Sequence, residues 1–286
     1  MKIYPIEAGN FKLDGGAMFG VVPKTLWGKT NPADKNNMID IASRCMLIED
    51  GKKLVLIDVG MGNKQSKKFF NYYYRWGDFT LKSSIEKAGF SCDEITDVFF
   101  THLHFDHCGG GVIWDNNKTH LKPVFKNARY WSNKKHWDWA IKPNPRERAS
   151  FLKENLSPIE SSGHLNFIAN HSTGFQHKPE LGLDVLFVDG HTEKQMIPRI
   201  SYKGETLVFA ADLIPTAGHI PVPYVMGYDT RPLLTMSEKT LFLKEAADNN
   251  YFLFLEHDAH NEVVSLKNTE KGVRLDKVYR FNDLFN

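Results

Sequence analysis

Thr101-His102-Leu103-His104-Phe105-Asp106-His107-Cys108-Gly109-Gly110 is the stretch on which the reading of this 286-residue chain turns. The preceding Asp97-Val98-Phe99-Phe100 reads as a buried strand, so the histidines emerge at its C-terminal end on a tight loop. Three imidazoles and a carboxylate within six residues could not all be buried without a metal unless several polar atoms were stranded. Along an extended turn His102 and His104 point to one side, while Asp106 and His107 turn to the other. That geometry serves two metal ions rather than one. Gly109 to Gly111 let the backbone turn sharply and keep the approach open. The plainer alternative is a histidine-rich surface loop that picks up metal adventitiously, and it depends on the rest of the chain offering no further ligands.

Further ligands arrive at the ends of other strands. Val185–Thr192 (VLFVDGHT) places His191 just past a hydrophobic run, on a turn opened by Gly190. Thr206–Asp212 (TLVFAAD) ends on Asp212, and Tyr251–Asp258 (YFLFLEHD) delivers His257. Singly, an exposed turn histidine or a helix-capping Asp explains each of them. Together, four strands each offer a ligand at the C-terminal end, where α/β architectures place their sites.

Composition narrows the rest. Lys plus Arg (36) against Asp plus Glu (34) leaves a formal charge of +2, which offers no electrostatic case for nucleic acid or an anionic membrane. No apolar stretch is long enough to cross a bilayer. No signal-peptide core follows Lys2, and Cys45, Cys92 and Cys108 are too widely spaced for a disulfide framework or a CxxC zinc site. A cytoplasmic protein with free thiols is expected, its partner a small-molecule substrate and its candidate assembly a homodimer. Strands are predicted over 39–48, 53–59, 96–101, 184–188, 196–202, 206–211 and 251–256, with a strand-like segment after His257. Helices are predicted over 64–76, 79–88 and 237–249. Residues 122–162, polar but carrying Trp131, Trp137 and Trp139, read as a helical cap-like insert in a single domain spanning 1–286. GxSxG, Walker A and GxGxxG motifs are absent from the sequence, which removes three enzyme classes.

Taken in order, THLHFDH, DGHT, FAAD and LEHD resemble the metallo-β-lactamase-fold hydrolase superfamily, and Leu56–Gly60 (LIDVG) resembles that family's upstream strand-end Asp element. The resemblance implies an α/β fold, a four-layer αβ/βα sandwich with the metal site at the edge between two sheets. It implies that His102, His104 and His191 hold one ion, that Asp106, His107 and His257 hold a second, and that Asp212 bridges both. Five neutral imidazoles with no cysteine suit two zinc ions per chain, with iron or manganese as alternatives. Asp58 is expected to orient a ligand loop or accept an imidazole N–H; a simple turn cap is the alternative.

Such a metal pair implies a shared hydroxide that attacks a polarised carbonyl or phosphoryl centre. Asp106 is the catalytic candidate, orienting that hydroxide or carrying a proton to the leaving group. Within the superfamily, 14–27, the insert segments 127–131 and 144–152, and 211–229 resemble the lactonase and organophosphate-hydrolase branch. Acyl-homoserine lactonases carry a Tyr three residues after the bridging Asp, where this chain has Pro215. His219, Tyr224 and Tyr228 are the candidates to replace it, and Phe19 and Trp27 are candidates for an apolar substrate wall, as are the insert's tryptophans. The expected activity is hydrolysis of a small ester or lactone, acyl-homoserine-lactone-type substrates included. The alternatives are phosphotriester or phosphodiester hydrolysis at the same site, mononuclear-iron redox chemistry, and a metal-binding domain without catalysis.

Overall fold

In the computed structural model, residues 1–285 are described, and the backbone gathers into two compact units. One comprises Met1–Phe11 with Ser43–His171, the other Lys12–Ala42 with Ser172–Asn286. The first unit carries, in chain order, β1 (Lys2–Asp14), β2 (Met38–Asp50), β3 (Lys53–Ile57), β4 (Asp97–Phe99), β5 (Val112–Trp114), β6 (Leu121–Pro123), β7 (Arg129–Ser132) and β8 (Leu165–Phe167). The ends of β1 and β2 continue into the second unit. The sheet order is β1-β2-β3-β4-β7-β8, and β5 pairs with β6 as a separate hairpin.

The pairings β3–β4, β4–β7 and β7–β8 are parallel. Continuous apolar runs explain this choice: Leu54 to Ile57 in β3 and Asp97 to Phe99 in β4 are buried, as strands covered on both faces must be. Parallel pairing brings the C-terminal ends of β3, β4 and β7 to one edge. Helices Leu81–Lys87, Lys134–Ile141 and Lys153–Ser161 bury Ile85, Trp137, Ala140, Leu156 and Ile159 against Leu56, Val98, Phe100 and Tyr130 in one core. Truncating an aromatic such as Phe100 there would cost roughly 3–5 kcal/mol.

Two sequence expectations change here. The stretch 122–162 is not helical throughout, because β7 lies inside it and pairs between β4 and β8 in the sheet. Tyr130 and Trp131 are buried on that strand, and Trp131 Nε1 donates to Asp97 Oδ1 at 2.8 Å. The helix expected over 64–76 shrinks to Lys67–Asn71. Ser66 caps its start by accepting from Phe69 N, and Tyr74 adopts a left-handed backbone with φ of 42°.

The second unit carries β9 (Gln176–Lys178), β10 (Leu183–Val188), β11 (Gln195–Tyr202), β12 (Glu205–Phe209), β13 (Phe252–Phe254), β14 (Val263–Lys267) and β15 (Arg274–Tyr279). Its sheet order is β15-β14-β13-β12-β11-β10-β9. Strands β12 and β13 are parallel; β10 runs antiparallel to β11, and β11 to β12. Strands β10, β12 and β13 therefore all point the same way. The helix Pro232–Asp248 starts earlier than the sequence suggested, with proline in its first turn, where the missing N–H costs nothing. It buries Phe242, Leu243 and Ala246. Phe281 and Phe285 of the last helix pack on Phe254 and Phe252. Each unit thus pairs a sheet with helices, the content expected of a four-layer αβ/βα architecture.

Candidate metal centre

In the first unit, every member of the THLHFDH loop follows the end of β4. Asp58, just past β3, is fully buried, and its carboxylate accepts from Thr101 N (2.8 Å), Thr101 Oγ1 (2.6 Å) and His107 Nδ1 (3.0 Å). Its φ of 55° is rare outside glycine, a strained conformation held by these bonds. Because a carboxylate only accepts, Thr101 gives its hydroxyl proton to Asp58 and must accept from His102 Nδ1, 3.1 Å away. His104 Nε2 faces Glu147 Oε1 at 3.4 Å, so that nitrogen carries the proton. The bare nitrogens that remain, His102 Nε2 and His104 Nδ1, face each other at 3.0 Å. His107, with its proton on Nδ1, turns a bare Nε2 towards Asp106 Oδ2 at 4.0 Å.

The glycines after this loop answer a packing demand. A Cβ at Gly110 would stand 2.0 Å from the Val59 carbonyl oxygen. Lys64, buried beneath, donates to Gly109 O at 2.5 Å, and burial pulls its ammonium down to about 8.

The second unit repeats the logic with different partners. His191 Nδ1 donates to Asp229 Oδ1 at 2.9 Å, leaving Nε2 bare at 3.1 Å from Asp212 Oδ2. His257 Nδ1 donates to the Ala42 carbonyl at 2.8 Å, leaving Nε2 bare at 3.1 Å from Asp212 Oδ1. Asp212 follows β12 beside Ala211, whose φ is 41°. The turn bearing His191 is held by Glu238, which accepts from Asp189 N (2.7 Å) and Gly190 N (2.9 Å). Burial raises the Glu238 carboxyl above its ordinary range. A Cβ at Gly190 would lie 2.5 Å from Thr235 N, so only glycine fits against that helix.

In each unit, then, buried imidazoles have one nitrogen pinned by an acceptor and the other aimed at a further lone pair. In the first unit extra protons would relieve the conflict by setting an imidazolium against neighbouring rings; in the second they would pair with Asp212. The ring centres of His102 and His107 are 3.9 Å apart, and those of His102 and His104 are 4.5 Å apart, all shielded from water. A cation that accepts the lone pairs relieves it without that cost, and this donor set fits a divalent ion of borderline softness. His102, His104, Asp106, His107, His191, Asp212 and His257 all belong to clusters of side chains able to hold an ion; so do Asp58 and Glu256.

The expected substrate residues fall mostly together within the second unit. The Phe19 ring stacks on Trp27 (5.2 Å, 4°) and on His219 (4.2 Å, 13°), with Tyr224 edge-on at 6.3 Å. Tyr228 stands 38 % exposed. His219 is sealed in: Nε2 donates to Met18 O and Nδ1 accepts from Thr216 Oγ1, each at 2.8 Å. Burial lowers its ring to about 3, so it is a neutral strut. Trp137 is core, and Trp139 Nε1 donates to Glu147 Oε2 at 2.7 Å. Cys108 donates to Leu103 O at 3.3 Å, and burial pushes its thiol up to about 12.

Sequence reasoning missed Glu147, Asp229, His136 and an aromatic group on the ligand loop. Leu103 N donates to His136 Nε2 at 2.9 Å. Phe105 meets Phe69 at 5.3 Å and Tyr73 at 4.9 Å. Burial, aided by the charge of Asp106, raises the Tyr73 phenol to about 12. The spacing of Phe69 and Tyr73, one helical turn apart in an aromatic-rich run, was the signal available for that group.

Residues 39–257 match the family model of the Metallo-beta-lactamase superfamily. An N-acyl homoserine lactonase of Bacillus thuringiensis is 20% identical over 274 residues, covering 91% of this chain and 94% of its own. A solved structure of a probable metal-dependent hydrolase from Staphylococcus aureus superposes with a TM-score of 0.84 at 26% identity, covering 98% of each chain. That of AidC, a dizinc quorum-quenching lactonase, superposes with a TM-score of 0.77 at 25% identity, covering 98% of this chain and 95% of its own. With the family match running from β2 to His257, through every ligand-bearing strand end described above, the chain belongs to the metallo-beta-lactamase superfamily.

Proposed function

We propose that this superfamily hydrolase uses two divalent ions, zinc in the native protein, to hydrolyse a small ester or lactone. His102, His104 and His191 would hold one ion, Asp106, His107 and His257 the other, and Asp212 would serve both. Two such ions supply Lewis-acid polarisation and an activated water to a hydrolytic reaction. The observation that carries this reading is the outward-pinned imidazole: each of these histidines has one ring nitrogen facing Thr101, Glu147, Asp58, Asp229 or the Ala42 carbonyl and turns the other towards another candidate ligand.

The chain's own residues have separable tasks. Asp58 and Asp229 hold His107 and His191 in the tautomer that a cation requires. Asp106 sits beside the His107 ring, takes a proton as the water adds, and returns it to the departing alkoxide. Phe69, Tyr73 and Phe105 give the ligand loop an apolar flank suited to an acyl chain. The lactonase relatives at 20% and 25% identity support ring esters as the substrate class. Among the described residues no helix is long and apolar enough to cross a membrane.

A hydrolysis panel of acyl lactones, aryl esters and phosphotriesters, run on protein of measured metal content, tests the reading. Lactones and aryl esters should turn over with about two equivalents of zinc per chain. Turnover confined to phosphotriesters would move the substrate to phosphoryl chemistry, and a single iron without hydrolysis would overturn the hydrolytic reading altogether.

A further inference from the structure

One buried carboxylate near the ligand loop is left unassigned by the family ligand set. Glu147 is 3 % exposed and lies in the turn between the helices Lys134–Ile141 and Lys153–Ser161. Its Oε2 accepts from Trp139 Nε1 at 2.7 Å and from Asn144 Nδ2 at 2.5 Å, while Oε1 lies 3.4 Å from His104 Nε2. Asn144 in turn accepts from Glu147 N (3.1 Å) and Arg146 N (2.9 Å), so the turn holds the carboxylate from both sides. The same segment grips the ligand loop at other points. Phe105 N donates to Ser150 O at 2.9 Å, Leu103 N donates to His136 Nε2 at 2.9 Å, and the Phe151 ring packs 4.7 Å from that of His104.

We propose that Glu147 is a positioning residue that holds His104 with its proton on Nε2 and its Nδ1 presented beside His102 Nε2, and so sets the affinity of the ion position those two histidines share. A neutral imidazole has one proton, and whichever nitrogen meets a buried acceptor keeps it. Were Glu147 neutral, His104 could place its proton on Nδ1, where it would hydrogen-bond to His102 and close that position to a cation. Residues 133–151 then serve to orient the ligand loop rather than to cap a substrate, and Trp139 acts through Glu147.

The inference rests on the two-ion reading and is tested so that the two fail separately. Ion affinity is measured by competition with a chromophoric chelator for wild type, Glu147→Gln and Glu147→Asp, alongside thermal unfolding of each metal-free protein. Gln keeps the size and an acceptor for Trp139, so the fold is preserved while the charge is lost. Glu147→Gln should bind one of the two ions about 10–100-fold more weakly, the range seen when the acceptor behind a metal-bound histidine is removed. Its second ion and its metal-free melting temperature should stay near wild type. Glu147→Asp, which retains the charge, should recover part of the loss. Cobalt(II) loaded at the weakened position should show an altered visible spectrum.

Wild-type affinity for both ions in Glu147→Gln overturns the inference alone. So does an equal weakening of both ions that tracks a fall in metal-free stability, since that is a purely structural effect. A wild-type protein that binds fewer than two ions overturns the reading beneath it as well.

Discussion

The candidate ligand sets of the two units are placed by opposite routes. In the first unit four candidate ligands come from one loop, His102 to His107, and the partners that orient them are mostly side chains: Asp58, Thr101 and Glu147. In the second unit His191, Asp212 and His257 each follow a different strand, and one orienting partner is the backbone carbonyl of Ala42. A loop in which ligands crowd together needs several anchors to keep each ring in its own tautomer. Ligands on separate strands get most of their placement from the sheet, and their rings are turned by Asp229 and the Ala42 carbonyl. The first set therefore concentrates its dependence on a few buried side chains, whereas the second spreads it over the strand register.

The largest expected effect touches both sets at once. Chelation should abolish hydrolysis, and added zinc should restore it, because both sets are proposed to hold the ions that activate the water. Full activity in chelated protein would break the comparison at its root. Next in size is Asp106→Asn, which keeps the shape of the side chain and removes its capacity to take a proton. A fall in kcat of about 10²-fold is expected from the loss of general acid–base help. Near-native kcat with both ions retained would leave Asp106 only a ligand.

A smaller, stability-based pair separates the two halves directly. Asp58→Asn suits the left-handed backbone at that position, so it isolates the loss of charge. Its amide would turn an N–H towards a donor among Thr101 N, Thr101 Oγ1 and His107 Nδ1, at a cost of about 3 kcal/mol in metal-free unfolding. Asp229→Asn can still present an oxygen to His191 Nδ1 and should cost about 1 kcal/mol. Denaturant titration of both variants measures the difference, and equal costs would mean the first set is no more dependent on its anchors than the second.

The smallest effect concerns His219, which belongs to the second unit and carries no proposed catalytic role. Its folded-state ring sits at about 3, below the ordinary 6.5, so the folded protein keeps it neutral while the unfolded chain takes up a proton. Stability gained from a neutral His219 is complete above about pH 6.5 and is lost as the pH falls towards 3. The stability advantage of wild type over His219→Gln should therefore shrink by about 1.4 kcal/mol per pH unit between about pH 6 and 4. A difference independent of pH would show that the ring is accessible to protons in the folded state, and would return His219 to the list of groups that could meet substrate.

How much was legible in advance differs between the halves for the same reason. The candidate loop ligands of the first unit were readable as a cluster because spacing of one or two residues along an extended chain sets where side chains point. Those of the second were readable only as strand-end residues, each with a plainer explanation until they were taken together. The tryptophans of 122–162 misled, since an aromatic in a polar stretch looks alike whether it lines a pocket or a sheet. Parallel pairing of β7 with β4 made Trp131 a buried framework residue.

By itself, the sequence determined the residue types, the strand-end positions of the candidate ligands and the family to which those motifs belong. All of these are written in short-range spacing and local apolar runs. The protonation pattern that makes the imidazoles fit for a cation was decided mainly by tertiary structure. Asp58 stands 49 residues from His107, Glu147 43 from His104, Asp229 38 from His191 and Ala42 215 from His257. A hydrogen-bond acceptor acts over about 3 Å. Only the pairing of distant strands and the packing of helices on them could bring these four acceptors within reach of their rings; Thr101 neighbours His102 in sequence, but its hydroxyl is turned by Asp58, 43 residues away.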